Sequence, residues 1–205
     1  MLIALRVFAG LYGLMALAGS VVLALFFTLE TSMFGRTPRG DFFGPLSDWG
    51  GVFGSVPLVL AVLLFAYVAR ARWWFWALTA LVVISTIVFA AVSWNFIEGR
   101  MTLGDQFAAA GPQIALLVAW MVSAGVTGAR AGVLPRWMRA FAFVLVAAIA
   151  VCATIFGISF AVPPAGGWRT ILTLAGAIPG FLAWTAIPVW WICVAVTARK
   201  RIEHD

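Results

Sequence analysis

Long apolar runs separated by short polar segments dominate this chain. The runs are 18 to 28 residues long, and a helix rising about 1.5 Å per residue crosses a hydrocarbon layer of roughly 30 Å in about 20 residues. Because backbone polar groups inside a bilayer must bond to one another, each run is predicted to be a helix. The sequence therefore predicts an all-α polytopic membrane protein, a six-helix transmembrane bundle in a single domain. The predicted spans are 4–29, 51–68, 73–96, 107–129, 137–161 and 170–197.

Basic residues are distributed unevenly over the ends of these spans. If the spans alternate in direction, nine of the thirteen basic residues fall on the side that carries both termini, and four fall on the opposite side. An excess of Arg and Lys in short loops is typical of the cytoplasmic side. We therefore predict that the N- and C-termini are both cytoplasmic. The nine residues are Arg6, Arg70, Arg72, Arg130, Arg136, Arg139, Arg199, Lys200 and Arg201.

The longest polar connection, 30–50, joins the first two predicted spans on the outer side. Its Gly and Pro residues oppose a regular helix, and its four large aromatic side chains oppose a fully solvated tail. We interpret this segment as an irregular aromatic cap over the outer end of the bundle. Farther along, Thr102 and Asp105 have the spacing of a helix capping box, which predicts a helix start just outside the fourth apolar run.

Small residues form one face of several predicted helices. In the fourth span they recur every four residues, so that the backbone of another helix can approach closely. This series consists of Gly111, Ala115, Ala119, Ser123 and Thr127. The first span carries a second series, which we expect to pack on a neighbouring helix. Its members are Ala9, Gly13, Ala16, Ser20 and Ala24. The fifth span has small residues on one side as well: Ala147, Ala150, Thr154 and Gly157.

Hydroxyl side chains recur every seven residues along the third span. Thr79, Thr86 and Ser93 form this stripe, and Ser85 lies beside it. Hydroxyls in membrane helices usually bond to their own helix or to a neighbouring one, so the first interpretation is helix packing. The alternative is that the stripe lines a path for a solute.

Two tryptophans are placed at middle depth in the fourth and sixth spans, away from the interfaces where tryptophan is common. A buried indole needs a partner for its N–H or a cavity to fill. Core packing is one interpretation, and a pocket for a small apolar or amphipathic ligand is the other. The candidate ligand pocket consists of Trp120, Trp184, Thr185, Ser85 and Thr86.

Composition narrows the chemistry that such a bundle can carry. The chain is 64% hydrophobic and 10% charged, against about 25% charged in soluble domains. Its net charge of +6 does not predict nucleic-acid binding, because basic residues at span ends orient helices and meet lipid head groups. The only histidine is His204, and Cys152 and Cys193 lie singly in apolar runs. No metal site and no cofactor is therefore predicted.

Three carboxylates are predicted at the outer rim: Asp48, Glu98 and Asp105. Such a set could hold a divalent ion or act as acid and base on a lipid head group. The simpler interpretation is that these groups cap helices and neutralise nearby arginines. No ionisable residue falls in the central part of a predicted span, which argues against an ion-coupled pump.

The turn Leu134-Pro135-Arg136-Trp137 precedes a last span that contains Gly and Pro and ends in Trp190-Trp191 before a basic tail. This pattern resembles a group of small bacterial six-span membrane proteins of unknown function. The resemblance covers mainly the last 75 residues. It implies six helices, a bacterial inner membrane and no assigned chemistry.

Three functions are compatible with these patterns. We favour a non-enzymatic integral membrane protein, surrounded by membrane lipids, that binds a partner subunit, a second copy of itself or a lipid-like ligand. This hypothesis predicts a lipid-facing stripe of small residues left unpaired. The alternative is a facilitator or channel for a small uncharged or hydrophobic solute, which predicts a continuous cavity touching Ser85, Thr86 and Trp184. The third is a lipid-modifying enzyme, which predicts the three outer carboxylates within about 6 Å of one another.

Overall fold

Six helices make up the part of the chain that the structure, a computed structural model, describes: residues 1–30, 42–162 and 167–200. Each helix is long and apolar enough to cross a membrane, so the predicted all-α six-helix fold is confirmed. Their bounds are Leu2–Leu25 for α1, continued by a π-helical segment Phe26–Glu30, then Phe43–Val68 for α2, Trp73–Ile97 for α3, Leu103–Arg130 for α4, Trp137–Ala161 for α5 and Trp168–Thr197 for α6.

The helices close into a ring. Helices adjacent in sequence pack side by side, and α6 packs against α1. The contact between α1 and α6 depends on Gly13, where an added Cβ would lie 2.7 Å from Ile192 Cγ1 and 2.9 Å from the Pro188 carbonyl oxygen. The predicted close packing of the small face of the first span is therefore confirmed at Gly13.

The start of α1, the end of α6 and the α4–α5 turn meet at one end of the ring. The Arg6 guanidinium donates to the carbonyl oxygen of Ala198, with 3.0 Å between Nε and O. The Arg199 backbone N–H donates to the Val133 carbonyl oxygen at 2.8 Å. Gly132 follows the C-cap residue of α4 with a φ of 69°, the left-handed conformation that glycine adopts at little cost. These contacts connect the start of α1 and the end of α6 to the basic turn.

The start of α2 differs from the sequence prediction. Of the predicted irregular cap, residues 31–41 lie outside the described residues. Over 43–50 the prediction is wrong, because α2 begins at Phe43. Gly44 and Pro45 fall in the first turn, where a proline loses no helical hydrogen bond because the first N–H groups of a helix have no partner within it.

Glu30, at the end of α1, caps α2 from a distance. Its carboxylate accepts the backbone N–H groups of Phe42, Phe43 and Gly44 over 2.6–3.1 Å. The negative charge lies at the positive end of the α2 dipole, where it is favourable. The acceptor is remote in sequence, so no local capping motif marks the start of α2.

Candidate functional site

Trp120 lies at the centre of the bundle in an aromatic core. Its ring stacks on Trp191 of α6, with centroids 5.4 Å apart, and lies 5.3 Å from Phe65 of α2 and 5.4 Å from Phe75 of α3. Its Nε1 donates to the Thr79 hydroxyl at 2.9 Å. One side chain of α4 thus contacts three other helices. The core-packing interpretation accounts for Trp120, since both its ring and its N–H have partners.

The hydroxyl stripe of α3 faces α4 and forms a polar seam between the two helices. The polar seam consists of Thr79, Thr86 and Ser93 on α3 and of Gln106, Gln113 and Trp120 on α4. At one end Trp120 bonds to Thr79. At the other end Gln106 Nε2 donates to Ser93 Oγ at 3.3 Å. The stripe therefore contributes to helix packing at both of its ends.

At Gln106 the seam continues to α2. Gln106 Nε2 also donates to Asp48 Oδ1 at 2.8 Å, so one amide joins α2, α3 and α4. A carboxylate this close to the hydrocarbon region requires such a partner, because an unpaired one would carry a large desolvation cost. Asp48 is thereby engaged in a structural contact.

The other two outer carboxylates also have structural partners. Asp105 accepts the backbone N–H of Thr102 at 2.8 Å, and Thr102 Oγ1 accepts that of Asp105 at 3.3 Å, which confirms the predicted capping box. Glu98 pairs with Arg100 at 3.1 Å. Among the described residues, no three His, Cys, Asp or Glu side chains come together as metal ligands. The carboxylates thus act in capping, pairing and bridging.

The remaining candidate pocket residues are not gathered around Trp120. Trp184 is 41% exposed and is not among the ring contacts of Trp120. Thr185 donates to the Phe181 carbonyl oxygen of its own helix at 3.0 Å, and Ser85 donates to that of Val82 at 3.0 Å. The sequence predicts a similar depth for these residues, but they face different neighbours.

A shallow apolar groove lies on the surface of α6. Its volume is about 420 Å³, and its lining is almost wholly apolar. The lining residues are Leu174, Ala177, Ile178, Phe181 and Leu182. The groove contains none of the residues that the sequence suggests for a pocket.

The small-residue face of α4 points away from the bundle. Gly111, Ala115 and Ala119 are exposed, while Ser123 and Thr127 are half-buried. A Cβ built on Gly111 meets no atom within 4 Å. On the neighbouring helix α5, the small residues Ala147, Ala150, Thr154 and Gly157 are exposed as well. Two adjoining helices therefore present small faces without a partner in the described part of the chain.

The hydroxyl stripe on α3 was predicted from the sequence, whereas its glutamine partners on α4 were not. Gln106, Gln113 and Trp120 are seven residues apart, matching the seven-residue spacing of the α3 hydroxyls. Two polar heptad series on consecutive helices are the signal that could have predicted the pairing. No pattern in the sequence marks Glu30 as the residue that caps α2.

Comparisons of the chain with protein-family models, with curated proteins and with solved structures find no significant match.

Proposed function

We propose that this chain is a non-enzymatic integral membrane protein that binds a transmembrane helix of a partner along the small face of α4. The supporting observation is the exposure of Gly111, Ala115 and Ala119 on a helix whose opposite side is buried. Small residues facing lipid offer little contact area to acyl chains. Against another helix they allow close approach of the backbones, and the resulting van der Waals packing is one of the forces that associate helices in membranes.

The face is large enough for a helix. It extends from Gly111 to Ser123, three turns of α4, and a helix rises about 1.5 Å per residue. Helix α5, which packs against α4, carries exposed small residues of its own. The partner is a subunit of another kind or a second copy of this chain, since both supply a hydrophobic helix.

The second candidate is a lipid-like ligand bound in the groove of α6. The groove contains Phe181 and Ile178, and its apolar lining suits an acyl chain. This candidate requires no residue of the α4 face, so the two forms of binding can be tested separately.

Photo-crosslinking in native membranes tests partner binding. We expect a photo-reactive residue at Ala119 to give a protein adduct of defined mass, because a partner helix covers this face. The matched control is Ile84, which is 58% exposed on α3 and lies as many residues from the basic end of α3 as Ala119 does from that of α4. From Ile84 we expect lipid adducts only. The same lipid adducts from both positions would contradict the proposal.

The substitution Ala115→Leu makes the crosslinking test more specific. A leucine at this exposed position blocks close approach of a partner helix without entering the core of the monomer. We expect the adduct from position 119 to be lost, while the melting temperature of the purified monomer stays unchanged.

We propose further that the protein lies in the inner (plasma) membrane with the basic end in the cytoplasm. Single cysteines at Glu98 and Arg136, both exposed, test the orientation in a background in which Cys152 and Cys193 are alanine. An impermeant maleimide is expected to label Glu98→Cys on intact cells and Arg136→Cys only after permeabilisation, because arginine excess marks the cytoplasmic side. The reverse pattern would overturn the orientation.

A further inference from the structure

The polar seam consists of three residue pairs in constant register, and the middle pair has no hydrogen bond between its side chains. Moving seven residues from Ser93 to Thr86 on α3 corresponds to moving seven residues from Gln106 to Gln113 on antiparallel α4, and the next step gives Thr79 and Trp120. The first pair, Ser93 with Gln106, and the last pair, Thr79 with Trp120, are each joined by a hydrogen bond. The register therefore puts Gln113 opposite Thr86.

The middle step is buried and lacks its hydrogen bonds. Thr86 is 1% exposed, and its Oγ1 has no hydrogen-bond partner. Gln113 is 8% exposed, and its side chain makes no hydrogen bond with the described residues. Buried polar groups are almost always satisfied by protein or ordered water, and the hydrocarbon around this bundle offers neither. Thr86 Oγ1 is therefore an orphaned buried group, and the Gln113 amide on the facing helix is available to share a bridge with it.

The neighbouring serine is part of the reason that Thr86 lacks a partner. Most hydroxyls in these helices donate to the carbonyl four residues earlier, as Thr79 does to Phe75 at 2.8 Å. For Thr86 that carbonyl belongs to Val82, and it already accepts from Ser85 Oγ at 3.0 Å. The Thr86 hydroxyl is thus left available for a group between α3 and α4.

We propose that one water molecule is bound between Thr86 and Gln113 as a resident bridge of the seam. A threonine hydroxyl supplies one donor and two acceptors, and a glutamine amide supplies two donors and an acceptor oxygen. Water, with two donors and two acceptors, can bond to both and reach the two to four polar partners typical of buried water. The site is neutral, because no charged side chain belongs to this step, which favours water over an ion.

A crystal structure grown in a lipid phase tests the site directly on the intact chain. We expect a density peak at hydrogen-bonding distance, about 2.7–3.2 Å, from both Thr86 Oγ1 and the Gln113 amide. A direct bond between the two side chains, or an empty contact closed by apolar groups, would overturn the proposal.

The sign of a stability change gives an independent test. If water satisfies Thr86, Thr86→Val removes a bridge and lowers the melting temperature by about 2–6 °C, whereas Thr86→Ser retains most of it. If the hydroxyl is unsatisfied, valine leaves the melting temperature unchanged or raises it, which would contradict the water site. Thr185→Val is the control, because that hydroxyl is bonded within its own helix and its loss should change the melting temperature little.

A double-mutant cycle distinguishes a shared bridge from two separate effects. Thr86→Val and Gln113→Leu each release the same water, so the double variant should lose clearly less than the sum of the single losses. Additive losses would show that the two side chains share no bridge, and would overturn the proposal.

Discussion

Trp120→Ala is expected to destabilise the bundle by about 2–4 kcal/mol, a large effect for a single truncation. Removing a buried indole leaves a cavity, which in soluble cores costs about 3–5 kcal/mol. The loss should be somewhat smaller here, because unfolded helices in a membrane already lie in an apolar medium. Trp120 contacts rings from α2, α3 and α6, so the cavity weakens four helices at once. Thermal or denaturant unfolding in detergent measures the effect.

Two further variants separate the contributions of Trp120. Trp120→Phe keeps an aromatic ring but removes the N–H that donates to Thr79, and should cost about 1 kcal/mol beyond the lost ring area. Trp184→Ala is the matched control, since Trp184 is 41% exposed and its loss should change stability by less than half as much. Equal losses at Trp120 and Trp184 would contradict a central role for the Trp120 core.

The helical architecture could be predicted because the length of an apolar run is a strong signal. The fifth helix has the predicted bounds, 137–161, and the capping box at Thr102 marks the true start of α4. The start of α2 could not be predicted in this way. Its N–H groups are capped by Glu30, at least 12 residues earlier, so the local sequence shows only Gly and Pro and resembles an irregular loop.

The candidate site was less predictable, because depth in the membrane can be read from sequence whereas rotation about a helix axis cannot. Trp120 and Trp184 are predicted at similar depth, yet one is fully buried and the other is 41% exposed. Helix α6 is apolar on nearly all sides, so its core-facing and lipid-facing residues look alike. On α3 and α4 the polar residues do mark one face of each helix, and pairing the two faces requires the antiparallel register of the two helices.

The unpaired small face of α4 has a counterpart in α1, and the comparison supports the proposed binding mode. Both faces repeat small residues every three or four positions. At Gly13 of α1 a helix has docked so closely that backbone atoms of α6 lie within 3.0 Å of where a Cβ would be. At Gly111 of α4 the same space is empty. The packing of α6 on α1 at Gly13 is therefore an example, within this chain, of how a helix could pack on the small face of α4.

Gly13→Ala is expected to destabilise the ring by about 1–3 kcal/mol, even though alanine is the better helix former. The added methyl would lie 2.9 Å from the Pro188 carbonyl oxygen and 3.0 Å from the Ile192 backbone nitrogen, so α1 and α6 must move apart, as in an overpacked core. Gly19→Ala is the control on the same helix, with no atom within 4 Å of the new methyl, and should gain up to about 1 kcal/mol from helix propensity. Opposite signs in an unfolding experiment are therefore expected. If both variants gain stability, α1 and α6 are farther apart than this contact requires, and the ring is not closed there.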